Sequence, residues 1–137
     1  MKEIKIGFIY QENNVFLTGN HFDNTYYHFF MNALQRNDKL IIKNFPVKRE
    51  IDCDRLKGKV DAILLWENSS FGMPEKILNI DKLDVPVISR VGDPNRAKDS
   101  IDYHEKWKIT HYFHFVHKDF FMDYIQKNLI FQQFFLV

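Results

Sequence analysis

A single cysteine, Cys53, excludes an internal disulfide, and so little cysteine suits a reducing, cytoplasmic setting. Charge of one sign is missing too. The chain carries 19 basic and 18 acidic residues, a net +1, so the electrostatic footprint of a nucleic-acid binder or of a protein held on an acidic membrane is not there. No apolar run approaches the roughly 18–20 residues of a membrane span. The start, Met1-Lys2-Glu3-Ile4-Lys5, reads as the beginning of a strand and lacks the long apolar core and small-residue cleavage site of a signal peptide. Glycine is sparse, at 5 residues. Neither G-x-x-x-x-G-K-[ST] nor G-x-G-x-x-G occurs, which removes the nucleoside-triphosphate and dinucleotide fingerprints, and no cofactor is expected in this domain. Ser69-Ser70-Phe71-Gly72 lacks the G-x-S-x-G elbow of the α/β hydrolases.

What is present suits one domain over residues 1–137. A chain of roughly 150 residues buries about 68–70% of the surface its unfolded form exposes, enough for a core without staples. Hydrophobic residues make up 45% and aromatics 16%, with 14 phenylalanines. That load predicts a thick core and an apolar surface that expects a partner.

Apolar runs alternate with amphipathic stretches, and no repeat or linker interrupts them. Ile4 to Tyr10 reads as a buried first strand. After a polar loop, Asp23 or Asn24 can cap a helix from about Thr25 to Asn37, whose Tyr27, Phe30, Met31 and Leu34 share one face. Leu40 to Phe45 is a second strand, and Asp52 to Lys57 a short helix. Val60 to Trp66 is nearly continuous in apolar residues, as a central parallel strand covered on both faces should be. Pro74 and Glu75 suit a helix start, with Met73, Ile77 and Ile80 as its apolar face. Val85 to Val91 is the fourth strand, and a helix capped by Asp99 or Ser100 runs to about Lys108. Tyr112 to His117 is an aromatic fifth strand, and Lys118 to Lys127 is helical. The tail is read as a strand from about Phe131. The alternation predicts an α/β fold: an open, mostly parallel, Rossmann-like three-layer sandwich with five or six strands.

In such sheets ligands sit beyond the carboxyl ends of the strands, near the switch in strand order. That rule nominates a cleft rim of Asn13 after strand one, Glu67 after strand three, Asp93 and Arg96 after strand four, and His117 and Lys118 after strand five. Glu67 or Asp93 has the chemistry of a general base, and Arg96 or Lys118 that of an anion holder. The plainer alternatives stand beside these: polar loops occur at every strand end, and Asp93 suits an Asx-turn. The residues by themselves identify no catalytic group. His111, His114 and His117 suggest a metal tract, but on a strand the outer two lie about 20 Å apart at ~3.3 Å per residue, with His114 on the other face. Zinc needs all its ligands at about 2.0–2.1 Å, so no metal site is expected. Asp52 and Asp54 flank Cys53 and disfavour its thiolate.

Length and alternation resemble a phospho-receiver domain. There Lys118 fits the lysine after strand five, but Glu67 stands where the phospho-acceptor aspartate belongs and Tyr10-Gln11-Glu12 replaces the acidic pair. That resemblance implies a non-catalytic, receiver-like signalling or interaction domain. A second resemblance is carried by Val87-Ile88-Ser89-Arg90-Val91-Gly92-Asp93-Pro94-Asn95-Arg96, a following helix, and Tyr112-Phe113-His114-Phe115-Val116-His117-Lys118-Asp119-Phe120. These stretches are similar to the N-terminal half of CgeB-like glycosyltransferases. The order of elements matches over about residues 4–128, and the motifs lie within about 85–121. The resemblance implies a GT-B arrangement: an acceptor-side domain, inactive without a donor-binding C-terminal domain that would hold the nucleotide sugar. The sequence stops at Val137, where that second domain is expected. The apolar end, Phe131 to Val137, is then either a buried strand or a surface that meets the missing domain or a second copy of the chain.

Overall fold

A computed structural model of the chain describes residues 2–14, 17, 26–67, 72–90, 97–114 and 134–136. Its centre is a parallel sheet. Strands β1 (Ile4–Gln11), β2 (Leu40–Val47), β4 (Ala62–Leu65), β6 (Val87–Arg90), β7 (His111–His114) and β8 (Phe134–Leu136) stand in the order β2-β1-β4-β6-β7-β8. Every neighbouring pair is parallel. The expected α/β architecture of five or six strands forms with six in its main sheet, and the tail enters as the last of them. The middle strand β4, Ala-Ile-Leu-Leu, is buried at every position, the signature of a parallel strand covered on both faces. The edge strand β2 is half exposed and accommodates Pro46, which a central strand would not tolerate for want of an N–H donor.

Register sorts the side chains into two faces. Gly7, Ile63 and Val87 align on one, continued by Ile9, Leu65, Ser89 and Tyr112. Ile6 and Ala62 lie on the other, with Phe8, Leu64, Ile88, Arg90 and Phe113. Helix α2 (Ala97–Lys106) packs on the first face, where His104 Nδ1 and the Tyr112 hydroxyl are hydrogen-bonded at 2.8 Å. Helix α1 (Tyr26–Arg36) packs on the second, where Phe30 stacks on Phe113 with ring centroids 5.5 Å apart. The helical spacing of Phe30, Met31 and Leu34 thus meets the sheet as expected. At Gly7 a Cβ would sit 3.1 Å from Ile63 Cδ1 and 3.2 Å from Val60 Cγ1, so the missing side chain lets both fold over β1.

Burial of His104 holds its imidazole below the ordinary histidine range, against a smaller opposing pull from Glu105 and with a small push from Lys108. The folded state therefore prefers the neutral ring. Its contribution to stability is complete above the unfolded value near 6.5 and is lost as pH falls through that value, because the unfolded chain then takes up the proton first. Thermal unfolding between pH 5 and 8 is expected to show this decline, and a His104→Asn variant to flatten it.

Two elements depart from the sequence expectation. The stretch after Pro74 is not a helix. Lys76–Leu78 forms strand β5, paired in parallel with β3 (Glu50–Asp52) as a separate two-stranded sheet, and a 3₁₀ turn follows at Ile80–Lys82. The apolar spacing of Met73, Ile77 and Ile80 suits a helix, but Ile77 alone of its strand is buried, opposite Ile51. Asn79 then enters the left-handed region at φ 56°, ending any helix there. Its side-chain amide donates to Asp52 Oδ1 at 2.9 Å, tying the two pieces together. The short helix expected over Asp52 to Lys57 forms as a 3₁₀ helix at Cys53–Leu56. Its N-cap Asp52 accepts from the Asp54 N–H at 3.0 Å. The Cys53 thiol is fully buried there, and burial, reinforced by Asp52 and Asp54, pushes its pKa up to about 12, so it is no nucleophile. The second departure is α2, which starts at Ala97, so Asp99 and Ser100 lie within its first turn instead of capping it. The helix expected over Lys118 to Lys127 falls outside the described residues.

Candidate functional site at the carboxyl edge of the sheet

The chain steps from β1 to β2 on one side and to β4 on the other, so the switch point of the sheet lies between β1 and β4, where open α/β sheets form their ligand crevice. Three strand ends build its floor: Gln11 ending β1, Trp66 and Glu67 after β4, and Arg90 ending β6.

The end of β1 is held by a tight turn. The Asn14 N–H donates to the Gln11 carbonyl at 3.0 Å, the Gln11 N–H to Gly72 O at 2.9 Å, and the Glu12 N–H to Val47 O at 2.9 Å. Asn14 is 3% exposed, and its side-chain amide donates to the same Gly72 carbonyl at 3.3 Å. Gly72 has φ +68°, and a Cβ there would collide with the Asn14 side chain. This buried lock leaves Asn13 exposed at the apex of the turn, beside the switch point.

Across the crevice, Glu67 and Arg90 form an ion pair in which both side chains are buried. Leu65 is the register partner of Ser89, so Trp66 follows beside Arg90, and the guanidinium lies 4.9 Å from the centroid of the Trp66 ring. A charge this deep needs a partner, because an uncompensated buried ion costs several kcal/mol. The pair neutralises both groups and joins the roots of the two chain segments that leave β4 and β6. Glu67 is therefore an anchored carboxylate facing a guanidinium, not a solvent-facing base.

Of the six rim residues read from the sequence, Asn13 and Glu67 fall at the carboxyl ends of neighbouring strands. Asp93, Arg96, His117 and Lys118 lie outside the described residues. Sequence reading passed over Arg90 and Asn14. Arg90 had a legible signal: an arginine closing an apolar parallel strand cannot stay uncompensated. Asn14 had none, since nothing local distinguishes it from Asn13. Among the described residues no group of three or more His, Cys, Asp or Glu side chains is placed to hold a metal, and no helix is long and apolar enough to cross a membrane. No family model, curated protein or solved structure matches the chain.

Proposed function

We propose that this chain is the acceptor-side, N-terminal domain of a GT-B-like glycosyltransferase, with transfer dependent on a second, donor-binding domain. The observation that carries the reading is the β1/β4 switch point, at whose carboxyl edge stand the exposed Asn13 and the buried pair of Glu67 and Arg90. It is supported by the resemblance that runs from Val87 through Arg96 and from Tyr112 through Phe120. Polar groups on a rigid floor suit a neutral, hydroxyl-rich acceptor.

Amide chemical shifts of the isotope-labelled chain test this division. Methyl α-glucoside, mannoside and galactoside are expected to move the amides of Asn13, Glu67 and Arg90, with dissociation constants on the order of millimolar, equivalent to about 4 kcal/mol. UDP-glucose is expected to leave them in place. Saturable UDP-glucose binding below about 100 μM, roughly 5.5 kcal/mol, would overturn the assignment.

One observation favours a second reading. Counted along the chain, the main strands stand in the order 2-1-3-4-5-6, the flavodoxin-like variant that receiver domains share. In that reading the chain is a non-catalytic interaction domain. Glu67 is committed to Arg90 and buried, which leaves no exposed acidic acceptor at the end of β4. Acetyl phosphate with Mg²⁺ is accordingly expected to leave the chain unlabelled.

A further inference from the structure

The opposite end of the sheet holds a second concavity. Parallel crossovers are right-handed. The β1–α1–β2 step runs in one direction along the sheet, and all later steps run in the other, so α1 serves one face and the later connections serve the other. Helix α1 reaches from Phe113, under Phe30, to the turn that feeds β2. The amino-terminal half of that face is left without a covering element among the described residues. Its floor is Ile4, Ile6, Leu40, Ala62 and Ile88, and it encloses about 630 Å³. Ile4 is 47% exposed there. Lys2, Glu3 and Asp61 stand on the rim, and a polar depression of about 500 Å³ continues it past Asp38 and Lys39.

We propose that this trough is a self-association surface, occupied by the same trough of a second copy of the chain. The rim charges decide the occupant. Two lysines and three carboxylates are interspersed, so a partner of one sign (a nucleic acid, an acidic membrane, a basic peptide) would meet like charge at about half of them. A copy related by a two-fold axis presents the same mixed rim in reverse, so lysines and carboxylates of the two copies are available to pair. The net charge of +1 raises no long-range barrier between copies. The floor spans β2 to β6, about 14 Å at ~4.8 Å per strand. That is small against the roughly 800 Å² per partner of a standard interface, so the dimer is a weak one, with a dissociation constant on the order of 10–100 μM. The surface lies at the end of the sheet opposite the crevice, and the inference does not rest on the transferase reading.

Sedimentation velocity of the whole 137-residue chain from about 5 to 500 μM tests it, alongside Ile4→Lys and, as a control, Phe29→Lys, which alters an exposed aromatic on α1. The native chain and Phe29→Lys are expected to dimerise alike, and Ile4→Lys to weaken association at least tenfold with its melting temperature within about 3 °C of the native one. A native chain that stays monomeric overturns the proposal, as does association that survives Ile4→Lys. Should the monomer instead bind 8-anilinonaphthalene-1-sulfonate, and Ile4→Lys abolish that binding, the trough takes a small apolar ligand and the self-association proposal fails.

Discussion

Glu67→Leu is expected to destabilise the fold by about 3–5 kcal/mol, a fall of roughly 10–20 °C in melting temperature for a domain of this size. The loss comes from what remains. Arg90 is 7% exposed, and a guanidinium cannot shed its proton to escape a buried site. Its contact with Trp66 supplies only a small part of what the carboxylate provided. The converse variant, Arg90→Met, is expected to cost less, because a stranded carboxyl can neutralise itself by taking up a proton and a guanidinium cannot do so by losing one. The double variant Glu67→Leu/Arg90→Met is expected to recover about 2–3 kcal/mol relative to the sum of the singles. Denaturant unfolding of the four chains checks all three statements. Additive single losses would mean that the two residues stabilise the fold separately and that the floor of the crevice is not held by their pairing.

The same pair shows where sequence reading succeeds and where it stops. Apolar runs at Ile4–Gln11, Ala62–Leu65 and Val87–Arg90 announce buried parallel strands because continuous burial on two faces leaves no other solution. The 3.6-residue spacing of Phe30, Met31 and Leu34 announces α1 for the same local reason. Arg90 lies inside one of those runs, and its role depends on Glu67, 23 positions earlier, across a strand pairing that no local pattern specifies. Strand order is non-local in the same way: nothing within β4, β6 or β7 names its neighbours, and only packing decides which stands beside which. The misreading of Met73, Ile77 and Ile80 has a different cause. Spacings of four and three suit a helix face, yet the chain here buries one residue per short strand and then turns through left-handed Asn79. The side-chain amide from Asn79 to Asp52 that fixes this arrangement links positions 27 apart.

At Gly72 the expected loss on substitution by valine is about 3 kcal/mol, assembled from two separable parts. The left-handed backbone, φ +68°, costs an L-residue roughly 1–2 kcal/mol, with β-branched residues worst placed. The remainder is steric: the new Cβ enters the space of the Asn14 side chain and comes within 3.0 Å of Trp66 Cδ1. Asn14 cannot yield cheaply, because it is buried and donates to the Gly72 carbonyl that also receives the Gln11 N–H. Gly58 separates the two parts. It has nearly the same backbone, φ +70°, with nothing within 4 Å of an added Cβ. Gly58→Ala should therefore cost only the backbone part, about 1 kcal/mol, and Gly72→Ala about twice that. In an Asn14→Ala background the collision at Gly72 is relieved, so the combined loss should fall short of the sum by about 1 kcal/mol. Amide hydrogen exchange locates the effect: Gln11 should exchange faster in Gly72→Ala and stay protected in Gly58→Ala. Equal costs at the two glycines would mean that Asn14 gives way freely, and that the turn presenting Asn13 to the crevice is not locked by its contact with Gly72.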